Sequence, residues 1–502
     1  HTGDFSMFRI YADANNEPAE YSPSNVPFKP KKYLPISMQG SDDGDFAMVY
    51  GFPGRTEHFL SSSEVEFVTE ELNPMRISMR DASLEVINEA MLSSDKLRIQ
   101  YAAKQSGVSN AWKKWRGQSR GLRMFNAVDK KKAFEEEYVK RAKKAGKENY
   151  VEALNKLLSF HEDFKQWESA RANFIELVYV GSELLRFAYD YQKLVELSNS
   201  DAADTLLQQE KEKLLGASKG HFKDYNAEVD KQILLAQLPL YKKHMPVEFQ
   251  VGWAKFTSEG EMTKWVNKLY DKTIFTKEEE LQKILASAGD NGVKKIEKDQ
   301  AFKAMKELYS TYFGKIAPEY QVKSAEKEAL MKLYVEGILD LFPEIDHWPD
   351  ANSTLRLSYG KVEGSQPTDA VIYEPQTTSG GILAKYIPGD RDFDLPNELI
   401  ELLEERDFGP YANKDDELVV CFTSSNHTSG GNSGSPVING KGELIGLNFD
   451  RSWESTMSDI MFDPDICRNI AVDMRYILFI VDKYAQAGHL IDEMELVSSA
   501  KK

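Results

Sequence analysis

Apolar and polar positions along the chain change their period twice. In residues 1–60, Pro18, Pro23, Pro27, Pro30, Pro35 and Pro53 separate short runs such as "FAMVYGFPGRT", the grammar of strands and loops. Phe5, Met7 and Ile10 read as apolar positions of folded sequence from the first residues onward. Between Pro74 and Pro239 there is no proline. Phe174, Leu177, Val178, Leu184, Leu185 and Ala188 fall there on one face at helical spacing, which predicts amphipathic helix. The charge-rich run at 130–149 predicts a helix with a solvated face. Helical pattern resumes after Pro246 and continues to "EKEALMKLYVEGILDLFPE", so residues 62–345 read as one large all-α insertion. From about 350 short β-type runs return, among them "STLRLSYGKVEG", "ELVVCFTSS" and "SPVINGKGELIGLNFD", which predicts a barrel or sandwich. "NGKG" at 439–442 is a tight hairpin signal. A closing helix is expected over "DMRYILFIVDKYAQAG", with Gly488 as its C-cap.

Composition narrows the function classes. The 502 residues carry a formal net charge of −17, opposite to the basic footprint of a nucleic-acid binder. No run of 18 apolar residues is present, so no membrane-spanning helix is expected. Two cysteines, Cys421 and Cys467, cannot build a metal cluster or a disulfide scaffold. They leave one bridge or two free thiols open. No metal and no cofactor are expected.

The chemistry concentrates at "SGGNSGSPV", residues 429–437. A phosphate cradle needs Lys-Ser or Lys-Thr and a helix after its glycines; here Pro436 and a β-run follow. The hydrolase elbow G-x-S-x-G sits between strand and helix; here Ser435 takes the last glycine's place. The G-x-S-G-x-P loop of chymotrypsin-like peptidases fits. Gly431 lets its N–H point, beside that of Ser433, at an incoming carbonyl oxygen, and such an oxyanion donor is worth about 3 kcal/mol. Asn432 cannot form the ion pair that an aspartate there makes with a new N-terminus in zymogen-activated enzymes. A triad also needs an aspartate and a histidine. Asp4 is the candidate carboxylate. His1 is too close to it, His427 is expected on a loop or rim, and His58 is expected to mark the exit from the first β segment.

"HTGDFSMFRIYAD", "GFPGRT", "ANSTLRLSYGKVEG" and "GGNSGSPV" together resemble the bacterial dipeptidyl-peptidase 7 and 11 family, over essentially the whole chain. That resemblance implies an α+β fold: a chymotrypsin-like double β-barrel, its first barrel incomplete here, interrupted by a large helical domain. The implied domains are 1–61, the remainder of the first barrel; 62–345, a helical insertion capping the active site; and 346–502, the second barrel and C-terminal helix. It implies Ser433 as nucleophile, Asp4 as the carboxylate orienting the catalytic histidine, and Gly431 with Ser433 as oxyanion donors. The family's catalytic histidine precedes "HTGDFS", so the chain is expected to be a fragment, inactive without an N-terminal segment of the same enzyme. Asp450 and Asn110 are implied to bind the substrate's free amino terminus. Arg451, in "NFDRSW", stands where Asp/Glu-specific members carry arginine, and is implied to pair with an acidic P1 side chain. From residue types alone, Asn110 would be a cap or surface residue, and Arg451 a surface arginine paired with a carboxylate such as Glu454. Strand alternation would also send Asp450 and Arg451 to opposite faces unless the strand bulges or ends there.

The expected function is therefore a serine dipeptidyl peptidase acting on oligopeptides with a free N-terminus and Asp or Glu at P1. A periplasmic or cell-surface location and a homodimer follow from the same resemblance. A serine endopeptidase of the same fold and an inert peptide-binding fragment are the alternatives.

Overall fold

The structure is a computed structural model and describes residues 5–200, 204–287, 291–390 and 392–498. The chain divides into two compact units. One comprises His1–His58 with Trp348–Lys502, the other Phe59–His347. The fold is α+β, with the strands confined to the first unit and long helices to the second.

In the first unit six antiparallel strands follow one another in space: Arg356–Lys361, Phe46–Gly51, Pro436–Ile438, Leu444–Arg451, Asn469–Asp473 and Val419–Ser424. A bridge between Val362 and Ser424 joins the last strand back to the first. The ring so formed keeps one edge, since Gln376–Thr378 also pairs with Val419–Ser424 and ends the sheet. Ala47, Val49, Val362, Phe422, Val437, Ile445 and Ala471 form the apolar filling, each at most 1% exposed. The hairpin at Asn439–Gly442 forms as the sequence predicts: Asn439 N–H donates to the Glu443 carbonyl (2.9 Å), and Gly442 takes φ +80°.

Strand Phe46–Gly51 corrects the expected segmentation. Val49 stands opposite Val437 and Met48 opposite Ile438, so this strand belongs to the sheet that carries the serine loop. Ile36–Ser37 also joins that sheet, beside Leu444. Within the described part of 1–61 the only separate ladder is the short pair Tyr11–Ala12 with Val26–Pro27. Met7, Phe8 and Ile10 are exposed rather than packed in a core. Chain continuity explains the arrangement: Phe46–Gly51 pairs along its whole length with Arg356–Lys361, so the helical unit is inserted between two adjacent strands. Thr56 Oγ1 and His58 N–H both donate to Asp350 Oδ1 (2.6 and 2.9 Å), tying the departing and returning chain together.

The second unit is all helix, as predicted. The six residues Phe174 to Ala188 named for their spacing are all buried. They do not share one continuous helix, however. Helix Glu148–Ile175 passes into a wider π turn, Glu176–Gly181, and Ser182 leaves helical geometry at ψ 130° before helix Glu183–Tyr189 begins. Asp230 decides where the new helix starts. Its buried carboxylate accepts from Glu183 N–H (2.6 Å), Leu184 N–H (3.1 Å), Tyr225 Oη (3.2 Å) and Tyr270 Oη (2.7 Å). These are the donors a helix N-terminus leaves open. The charged helix Ala127–Lys144 has its solvated face, yet Glu135 is buried and accepts from the N–H and hydroxyl of Ser62 (2.7 and 2.6 Å). At the chain's end, helix Met474–Phe479 closes through a π turn, and the left-handed residue is Gln486 (φ +51°); Gly488 opens a further short helix rather than capping this one. Among the described residues no helix is long and apolar enough to cross a membrane.

Asp230→Ala should strand two helix amides and two phenols in the core of the helical unit. The expected loss is about 3 kcal/mol of stability, read as a lower urea midpoint for the helical signal.

Candidate active site

The serine loop runs from the end of strand Val419–Ser424 to Pro436. Its shape is set by its own backbone. Asn432 N–H donates to the Ser429 carbonyl (3.1 Å) and Ser435 N–H to the Asn432 carbonyl (2.9 Å). Gly431 and Gly434 take φ +106° and +80°, a region that side chains disfavour. At Gly431 space forbids one as well: a Cβ would lie 2.5 Å from the Phe52 carbonyl oxygen and 2.7 Å from Gly54 N. Gly54 N–H in turn donates to the Gly430 carbonyl (2.6 Å), clamping the loop against the end of strand Phe46–Gly51.

A chain of buried amides holds the loop from inside the sheet. Gly434 N–H donates to the Asn448 carbonyl (2.7 Å), and Asn448 N–H to the Ser435 carbonyl (2.9 Å). Asn448 Nδ2 donates to the Asn432 carbonyl (3.2 Å), and Asn469 Nδ2 to Asn448 Oδ1 (2.9 Å). Ser424 Oγ contacts Asn469 Oδ1 and Asn426 Oδ1. Asn426 Nδ2 ends the chain on the carbonyls of Ala47 and Ser358 (3.1 and 2.7 Å). Asn432, read as unable to capture a new N-terminus, turns its Oδ1 onto Ser429 N–H (3.0 Å). The sequence reading missed this network. Its one visible signal was Asn448, a polar residue inside the apolar run "LIGLNF".

Ser433 itself is exposed. Among the described residues its hydroxyl has no hydrogen-bond partner, and neither its N–H nor that of Gly431 donates to another group. An exposed hydroxyl beside two unclaimed amides is what an oxyanion site requires.

Arg451 reaches the same loop. Strand Leu444–Arg451 slips its register between Asn448 and Asp450: Asn448 pairs with Ala471, Asp450 with Ile470 and Arg451 with Asn469. A bulge resets the alternation, so Arg451 shares the face of Asn448 and Asn469, and Asp450 takes the other. Arg451 Nη1 donates to the Thr428 carbonyl (3.3 Å), Ser458 Oγ (2.9 Å) and Asp459 Oδ1 (2.6 Å). The carboxylate partner is Asp459, not Glu454, which instead accepts from Tyr373 Oη (3.4 Å). Asp450 remains exposed at the strand's end, its Oδ1 accepting from Arg451 N–H (2.9 Å).

Asn110 lies in the helical unit, in the interior of helix Asp95–Met124, which excludes a capping role. It is exposed and has no partner among the described residues. Asp4 and His1 lie outside the described residues. Cys421 and Cys467 are buried free thiols, and burial pushes Cys421 up to about 11. No group of His, Cys, Asp or Glu among the described residues is arranged to hold a metal ion.

His427 lies on the serine loop, as expected. It is half-buried, with Nε2 on the Ser458 carbonyl (3.1 Å). Its ring meets those of His58 (4.9 Å between centroids), Phe462 (4.6 Å) and Trp348 (6.1 Å). Burial, and secondarily the charge of His58, push it down to about 4.

A catalytic-type serine loop on a closed antiparallel sheet marks a serine peptidase, and the wider comparison agrees. The Peptidase S46 profile matches residues 1–496, and the chain belongs to that family. It is 42% identical to an Asp/Glu-specific dipeptidyl-peptidase of Flavobacterium psychrophilum, over all of this chain and 70% of that one. It is 38% identical to a dipeptidyl-peptidase 7 of Phocaeicola vulgatus, over 99% of this chain and 69% of that one. The crystal structure of Porphyromonas endodontalis DPP11 in complex with the dipeptide Arg-Glu superposes with a TM-score of 0.89 at 33% identity, covering 99% of this chain and 71% of that one.

The low affinity of His427 for a proton has a stability consequence. The unfolded chain binds a proton there below about pH 6.5, whereas the folded chain resists it until about pH 4. Stability should be complete above pH 6.5 and fall by about 3 kcal/mol as the pH drops toward 4. His427→Gln should flatten that part of the profile, read by urea unfolding from pH 7 to 4.

Proposed function

We propose that the chain is a serine dipeptidyl peptidase that releases N-terminal dipeptides with Asp or Glu at P1. The observation that carries this reading is Arg451: a half-buried guanidinium bonded to the Thr428 carbonyl of the serine loop itself. On a protein with net charge −17, a local cation of this kind is what can attract an acidic side chain. The relatives named Asp/Glu-specific, and the DPP11 complexes with Arg-Glu and Arg-Asp, support the same reading.

In this mechanism Ser433 Oγ attacks the peptide carbonyl, and the amides of Gly431 and Ser433 receive the oxyanion. A histidine oriented by Asp4 takes the serine proton and delivers it to the leaving amine, and water then resolves the acyl-enzyme. The exposed carboxylate of Asp450 offers an ion pair to the substrate's α-amine. Asn110, exposed and unengaged, offers a neutral hydrogen-bonding partner for bound peptide. The closed ring of antiparallel strands around the serine loop supports the finer reading of a chymotrypsin-like barrel, the second of two. A periplasmic or cell-surface location and a homodimer belong to the reading on resemblance alone.

Release of a fluorophore from X-Asp and X-Leu dipeptide conjugates tests the proposal. X-Asp should be cleaved well above X-Leu, Ser433→Ala should abolish both, and Arg451→Ala should lower the X-Asp rate by about 30-fold or more. An N-acetylated X-Asp conjugate should be refused. Its cleavage would favour an endopeptidase instead.

A further inference from the structure

Three arginine–carboxylate pairs can be compared within this molecule, and one is built differently. Arg475 gives Nε and Nη2 to the two oxygens of Asp473 (3.0 and 2.8 Å). Arg80 gives Nε and Nη2 to Glu176 (2.9 and 3.1 Å). Both use the side-on edge of the guanidinium, the edge that matches a carboxylate in two parallel bonds. Arg451 does not. Asp459 Oδ1 takes Nη1 at 2.6 Å, and Oδ2 stands 3.5 Å from Nη2. Ser458 Oγ and the Thr428 carbonyl crowd the same Nη1. Nε has no partner among the described residues.

We propose that Asp459 is a positioning residue for P1 recognition: it grips Arg451 by Nη1 so that the Nε–Nη2 edge is held open for an acidic substrate side chain. This rests on the reading of Arg451 as the P1 contact. Two physical needs meet here. Arginine has four side-chain torsions and a large rotamer entropy, so a head held in advance spends less affinity on ordering when the ligand arrives. A buried guanidinium also needs a counter-charge while the site is empty; Arg451 and Asp459 side chains are 12% and 5% exposed. A side-on pair, as at Arg475, would meet the second need and block the edge. Gripping the far nitrogen meets both. Asp459 is itself fixed: it ends the helical turn Trp453–Asp459, and its carbonyl accepts from Glu57 N–H (2.6 Å).

Equilibrium binding of the dipeptides Arg-Glu and Arg-Leu, measured by calorimetry on the whole chain, tests this without requiring turnover. The readout is the ratio of the two dissociation constants. Asp459→Ala should reduce the preference for Arg-Glu by about tenfold or more, with Arg-Leu binding changed by less than about threefold. Asp459→Asn keeps an oxygen for Nη1 and should hold the preference within about threefold of the parent. A purely structural role would weaken both dipeptides together, and that result would overturn the proposal. So would an Asp459→Asn variant as impaired as Asp459→Ala. Arg451→Ala, run in parallel, separates the two levels. If it keeps the preference, or if the intact chain has none, the P1 reading falls and the proposal with it. If it loses the preference while Asp459→Ala keeps it, the proposal alone falls.

Discussion

The exchange of backbone hydrogen bonds between Asn448 and the serine loop is the tie on which the site depends. Gly434 donates to Asn448 and Asn448 donates to Ser435. Those two bonds lock Gly434 and Ser435, the residues that follow Ser433, to the strand that ends, three residues beyond Asn448, at Arg451. Ser433 and Arg451 are thus referenced to one short piece of backbone. A loop carrying both glycines and a reactive hydroxyl would otherwise be the most mobile part of the sheet. The asparagine side chains behind it extend the tie through Asn469 and Ser424 to the carbonyls of Ala47 and Ser358. Since every polar atom in such a chain needs its partner, the loop's position is fixed by strands far apart in sequence.

The bulge at Phe449 does a second piece of positioning. Without it, strand alternation would place Asp450 on the face of Asn448 and turn Arg451 away. One extra residue exchanges them. The serine loop therefore faces a guanidinium rather than a carboxylate, which is what the proposed recognition of an acidic side chain requires. Asp450, displaced to the strand's exposed end, keeps a carboxylate available for a cationic group. The two charges are separated by strand geometry rather than by distance in sequence.

The fold class was legible because it rests on period and punctuation. The proline-free helical stretch, the returning β-runs and the "NGKG" turn each signal locally what they form. The serine loop was legible because its glycines answer a local steric demand, as the 2.5 Å clash at Gly431 shows. What could not be read was anything decided by partners distant in sequence. Strand Phe46–Gly51 was assigned with its sequence neighbours, yet its hydrogen bonds go to 356–361 and 436–438. Glu454 was the natural guess for Arg451 because it is nearer in sequence, yet the same helical turn, Trp453–Asp459, presents Asp459 at its end instead. Helix Glu183–Tyr189 was read as continuous with its predecessor, since a carboxylate 48 residues from Ser182 ends the earlier helix.

The same contrast explains why residue type predicts a cation's role so poorly. Arg475 and Arg80 are buried and Arg451 is half-buried, and all three face a carboxylate. In the first two the side-on edge is filled, and the guanidinium has become part of the framework. In Arg451 the carboxylate sits at the other end, and hydrogen-bonding capacity is left over. Folding alone gives no reason to leave this edge open, when Arg475 and Arg80 each close theirs on a carboxylate. Under the proposed P1 recognition, the unused Nε is hydrogen-bonding capacity kept for a ligand carboxylate. On that argument the specificity of the site lies less in the presence of an arginine than in which of its nitrogens the protein leaves unused.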